Sequence, residues 1–143
     1  MLDLDGLCRA WPAPVDDPFH HRLLLANLRV VASNHLAASA RHLILAGVAE
    51  TAGQRDAFGA ALGIPLRVCR LTADVATLHA RLHHRHQGDH DTASLPWHLD
   101  RAGQLDLVLD QAALADDTLD TTHLTPDAVA AAVVHTTDWL TRR

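Results

Sequence analysis

His42-Leu43-Ile44-Leu45-Ala46-Gly47-Val48 is a continuous apolar run, bounded by polar residues and of the length of one buried strand. A strand that is apolar on both faces belongs in a parallel sheet covered by helices; a strand with one wet face would alternate. Upstream, the three prolines of Trp11-Pro12-Ala13-Pro14-Val15-Asp16-Asp17-Pro18 deny that stretch a ladder or a helix. Asp17 before Pro18 is an N-cap and N1 pair. Leu24, Leu28, Val31 and His35 then recur at helical spacing, which predicts an amphipathic helix over about 19–40. Met1 to Asp5 alternates apolar and acidic residues and reads as the end of a strand.

Downstream, a short helix over about 53–62 ends at Gly63, which can supply a left-handed cap. Pro65 to Leu71 makes a second buried strand. Thr72 or Asp74 caps a helix whose stripe of Val75, Leu78 and Leu82 runs to about His86. After the polar break at 87–92, a helix is predicted from Pro96 to Ala115, a short strand from Asp116 to Thr122, and a last helix opened by Thr125-Pro126, with Val129, Val133 and Leu140 facing inward. Strands alternating with helices predict an α/β fold, a three-layer sandwich with a mainly parallel sheet. No repeat or linker interrupts it, so residues 1–143 read as a single domain.

Composition narrows the chemistry. All 12 basic residues are Arg, and Glu50 is the only Glu among 17 acids. Without Lys there is no Schiff-base lysine, no lysine general base and no P-loop lysine. A net charge of −5 and 3% aromatic residues argue against nucleic-acid binding. No apolar run approaches the roughly 20 residues that span a bilayer, and the N-terminus has no signal-peptide pattern. Cys8 and Cys69 lie far apart in no CxxC pattern and read as buried free thiols, which suits a cytoplasmic protein.

Four constellations carry chemistry. Asp3 and Asp5 sit at the carboxyl end of the first strand, where open α/β sheets bind ligands. Paired carboxylates there can bind a substrate hydroxyl, hold Mg²⁺ through water or act as a general base; the plain alternative is a solvated terminus. Arg81 and Arg85 share a helix face, and Arg101 begins the next helix; with Arg70 they can clamp a phosphate, or simply line a solvated face paired with Asp. Glu50 follows the 42–48 strand and can reach a metal-bound water or a substrate. His79, His83, His86 and His90 include i, i+4 spacings that suit zinc or nickel, but 12 His in 143 residues make chance neighbours common. Nothing resembles a Ser-His-Asp order, a GxSxG elbow or a catalytic Cys–His set.

Taken in order, these segments resemble a known family. Val68-Cys69-Arg70-Leu71-Thr72-Ala73, followed by Thr77-Leu78-His79-Ala80-Arg81-Leu82-His83-His84-Arg85, is similar to the fourth strand and lid helix of P-loop small-molecule kinases. Asp3-Leu4-Asp5-Gly6-Leu7 resembles the acidic second-strand motif of adenylylsulfate- and shikimate-kinase-like proteins, which faces the phosphate acceptor. Residues 42–50 resemble the third strand, Trp97-His98-Leu99-Asp100-Arg101-Ala102 the helix after the lid, and Leu119-Asp120-Thr121 with Thr125-Pro126 the fifth strand and closing helix. The whole order is similar to a group of actinobacterial nucleotide-kinase-like ATP-binding proteins of the P-loop superfamily.

The resemblance implies transfer of the ATP γ-phosphoryl group to a small-molecule acceptor with Mg²⁺. Asp3 and Asp5 would orient or deprotonate the acceptor. Arg81, Arg85 and Arg101, in a lid over about residues 74–104, would close on the phosphates, with Glu50 near the metal. The departure is equally specific. The family's first strand and its GxxxxGK[ST] loop have no counterpart in these 143 residues. That strand is the central one of the family's sheet, with the second and third on one side and the fourth and fifth on the other. Three outcomes are therefore expected: the third strand pairs directly with the fourth, a partner fills the gap, or the coding region continues upstream of Met1. Without the phosphate cradle the chain is expected to be inactive as a kinase. A second class of reading is a non-catalytic binding module that dimerises through an exposed sheet edge.

Overall fold

A computed structural model describes residues 1–88 and 93–137. It is a mixed α/β structure with two small two-stranded parallel sheets, and it divides into two compact units, Met1–Leu66 and Arg67–Arg143. The expectations for His90 and Leu140 lie outside the described residues, as does the middle of the polar break that interrupts the proposed lid.

In the first unit, β1 (Leu2–Asp3) runs into a one-turn helix, α1 (Leu4–Leu7), followed by α2 (His21–Ala37), β2 (Leu45–Ala46) and α3 (Ala52–Leu62). β1 and β2 pair in parallel, Leu2 with Leu45 and Asp3 with Ala46, and Leu2 N–H adds a 2.7 Å bond to Ile44 O. Leu2, Leu4, Leu24, Leu28, Ala32, Phe58, Ala61 and Leu62 form the core. Leu24, Leu28 and Ala32 follow at one-turn intervals on α2, so a single stripe of that helix lies in the core, with Leu28 wholly out of solvent. Gly47 is obligatory here: a Cβ would lie within 3 Å of the Cβ, Cγ and Cδ1 of Leu4. Gly63 closes α3 in the left-handed region at φ 67°, as its sequence position suggests.

Three local expectations are corrected. Asp3 and Asp5 are not alternate residues of one strand. The Asp3 carboxylate accepts the Asp5 N–H at 3.1 Å and caps α1, so the chain turns helical immediately after Asp3. The 42–48 run is not a buried strand: only Leu45–Ala46 lies in the ladder, and Ile44 and Val48 are 42% and 44% exposed. Its apolar faces match a central strand, yet its ladder has one neighbour. Asp17-Pro18 does not begin α2. Instead, His20 takes the left-handed conformation and the Asp17 carboxylate reaches forward to accept His21 N–H at 2.7 Å and Arg22 N–H at 3.0 Å.

The second unit comprises β3 (Cys69–Thr72), α4 (Val75–Gly88), α5 (Leu95–Ala112), β4 (Asp117–Asp120) and α6 (Pro126–Thr136). The strand expected from Pro65 starts only at Cys69, and α5 stops before Ala113, which turns left-handed. β3 and β4 pair in parallel with Leu71 opposite Leu119. A polar clasp opens this ladder: Arg67 grips Asp117 bidentately at 2.5 and 2.8 Å, and Asp116 accepts Val68 N–H at 2.7 Å. α5 is tied to the sheet by Arg70, whose guanidinium reaches Asp106 and Asp110, both at 2.6 Å. Among the described residues of this unit no apolar side chain is fully buried, and Leu71 of β3 is 53% exposed. Among the described residues, β2 has β1 as its ladder partner and β3 has β4.

Candidate functional site

The two acids fall on the first unit. Asp3 and Asp5 are both exposed. One oxygen of Asp3 is engaged by the Asp5 N–H, and the Asp5 carbonyl accepts from the Cys8 N–H and thiol, each at 3.4 Å. The turn therefore presents two carboxylates to solvent, one of them partly used as a helix cap. Glu50 is half-buried between β2 and α3, and its N–H donates to Gln54 Oε1 at 2.7 Å. Thr51 then caps α3 by accepting Gln54 N–H at 3.2 Å.

The arginines fall on the second unit, and they are not gathered on one point. Arg70 closes on α5. Arg81, on α4, crosses to the carboxyl end of β4, where Nη2 donates to Thr121 O at 2.6 Å and Nη1 to Thr121 Oγ1 at 3.0 Å. Arg85 is exposed one turn further along α4, and Arg101 is half-buried on α5.

Around Arg81 lies a polar network that the sequence reading did not anticipate. Thr121 is only 5% exposed, and its hydroxyl and N–H both donate to Thr72 O, at 2.8 and 2.7 Å. Asp74 caps α4 by accepting Thr77 N–H at 2.6 Å, and its own N–H donates to Thr122 Oγ1 at 3.0 Å. Asp120 accepts both the N–H and the hydroxyl of Thr122, at 2.8 and 2.6 Å. The Thr77 N–H holds the Asp74 carboxyl below its ordinary value, and the Thr122 hydroxyl does the same for Asp120. The available signal was the run Thr118-Leu119-Asp120-Thr121-Thr122, with more hydroxyls than a strand end needs for solubility.

The histidines of α4 do not stand around a common point. Among the described residues no group of three or more His, Cys, Asp or Glu is placed to hold a metal ion. His86 is buried against His98 with ring centroids 5.0 Å apart, and Trp97 meets His98 edge-on at the same distance. These rings join α4 to α5. Cys8 and Cys69 are free and half-buried, and burial pushes both thiols up, which makes them poor nucleophiles at neutral pH.

Among the described residues, no helix start has the form of a cradle for the triphosphate of ATP. A phosphate cradle needs a run of open backbone N–H groups at a helix start, usually with a Lys. The chain has no Lys. Asp17, Thr51, Asp74 and Thr125 already occupy amides at the starts of α2, α3, α4 and α6. α5 has Pro96 in its first turn, one N–H fewer.

Comparison with protein-family models, with curated proteins and with solved structures finds no match to the chain. No helix among the described residues is long and apolar enough to cross a membrane.

Proposed function

We propose that this chain is the acceptor-binding and lid portion of a P-loop kinase-like fold, a three-layer α/β sandwich whose central strand and phosphate loop lie outside these 143 residues. The observation that supports it most is the pairing of the strands. In the family's sheet, removing the central first strand leaves two parallel pairs, second with third and fourth with fifth. The chain has two parallel pairs, β1 with β2 and β3 with β4, in that order. A second support is the mismatch at β2, which is composed like a central strand and has one ladder neighbour.

In this reading Asp3 and Asp5 orient or deprotonate a small-molecule phosphate acceptor, and Glu50 would lie near the metal. Arg85 and Arg101, with Arg81, neutralise phosphate charge. Catalysis of this kind is mostly positioning and electrostatics, so a chain without the cradle has no means to hold the donor. The 143-residue protein, incubated with MgATP and a panel of hydroxyl, sulfate and phosphate acceptors, is expected to show no phosphoryl transfer above the uncatalysed background. ATP-dependent transfer at ordinary turnover would overturn this assignment.

The exposed apolar residues Ile44, Val48 and Leu71 favour a second reading, a non-catalytic module that pairs with another copy through a sheet edge. Sedimentation across a hundredfold concentration range distinguishes them: a monomer throughout excludes the homodimer.

A further inference from the structure

Arg81 is the lid arginine that the proposed function directs to phosphate, yet in this structure its guanidinium is engaged elsewhere. Two of its N–H groups are held by Thr121, one on the carbonyl at 2.6 Å and one on the hydroxyl at 3.0 Å. Thr121 is itself fixed, because it is buried and its hydroxyl and N–H both donate to Thr72 O across the β3–β4 ladder. The partner of Arg81 is thus held in place, while Arg81 itself is solvent-exposed. The same corner is closed by Asp74, which caps α4 and whose N–H donates to Thr122.

We infer that Thr121 is a latch for the lid: it holds Arg81, and through it α4, against the carboxyl end of the β3–β4 sheet. An anion carrying phosphoryl oxygens must compete with Thr121 for this guanidinium. The inference rests on the phosphate-binding role proposed above for the lid arginines. It adds a self-inhibited state in which the chain occupies its own ligand arginine. Phosphate oxygens accept from a planar guanidinium bidentately, as the Thr121 carbonyl and hydroxyl do here, so the two engage the same donor fork. No bond is made or broken in the exchange; one set of acceptors replaces another.

The test uses inorganic pyrophosphate, titrated by calorimetry against the whole chain, together with amide hydrogen exchange over α4. Thr121→Val preserves shape and the carbonyl but removes the hydroxyl. Arg81→Lys preserves the charge but not the fork. The latch predicts that Thr121→Val binds pyrophosphate about tenfold more tightly than the parent, the worth of one hydrogen bond to a charged donor. It also predicts faster exchange over Val75–Gly88 without ligand, and lost pyrophosphate binding in Arg81→Lys. Equal affinity in the parent and Thr121→Val, with binding lost in Arg81→Lys, overturns the latch and leaves Arg81 as a phosphate ligand. No binding to the parent or to Thr121→Val removes the phosphate role of Arg81 and the latch with it. A purely structural tie would accelerate exchange in both variants without moving the affinity, and that outcome also overturns the latch.

Discussion

Gly47 and Leu4 show how a single side chain sets the first unit's geometry. Any Cβ at position 47 would fall inside the Leu4 side chain, at 2.7 to 2.9 Å from three of its carbons. Leu4 is buried in the core. Gly47→Ala is therefore expected to lower stability by about 1–3 kcal/mol, the usual cost of overpacking, as read by urea denaturation. A loss below a few tenths of a kcal/mol would show that β2 and α1 approach less closely. In the second unit, Asp74 and Asp120 have carboxyls held below their ordinary value of 3.8 by hydrogen bonds from Thr77 and Thr122. A depressed carboxylate pKa stabilises the fold above the unfolded value and loses that contribution as the pH falls through the folded one. Melting temperature should thus fall as pH drops from about 4 towards 2, and Asp120→Asn should flatten part of that fall. An unchanged slope in the variant would remove Asp120 from the acid response. The sequence marked Arg81 but not Thr121, because a threonine acquires this role only when folding brings residues 40 positions apart into contact.

Helices were more legible than strands. The stripe of Leu24 and Leu28 on α2, the left-handed Gly63 and the Thr125 cap of α6 all stand where sequence spacing placed them, because helical periodicity and caps are local properties. Leu28→Ala should cost 2–5 kcal/mol, as for other large-to-small core changes, and a chemical denaturation curve checks it. A cost under about 1 kcal/mol would mean that α2 does not anchor this core. Strand extents differ from the sequence pattern for a complementary reason. The 42–48 run has the composition of a buried strand, but burial is conferred by neighbours on both sides, and β2 pairs with β1 alone. The Asp3-Leu4-Asp5 alternation likewise looked like a strand until the Asp3 side chain took the Asp5 N–H and turned the backbone. Asx-type capping competes with the ladder over such short lengths, and here it wins. Of the candidate site, the positions of the acids and arginines along the chain were readable, whereas the engagement of Arg70 by α5 and of Arg81 by Thr121 was not.

At the scale of the molecule, two parallel ladders each stop at two strands among the described residues. Ile44 and Val48, on either side of β2, and Leu71 of β3 are exposed, where apolar side chains of a strand in mid-sheet would be covered. Under the proposed function, a central strand outside these residues would account for two separate ladders. The most direct measurement is a fusion that places a strand–GxxxxGK[ST]–helix segment of a P-loop kinase ahead of Met1. Amide exchange is then followed at Leu45, Ala46 and Cys69–Thr72, with MgATP binding measured alongside and cooperative melting confirming that the fusion folds. The account predicts strong new protection on both β2 and β3 and the appearance of MgATP binding. A folded fusion in which both strands exchange as they do in the parent, with no MgATP binding, would contradict it.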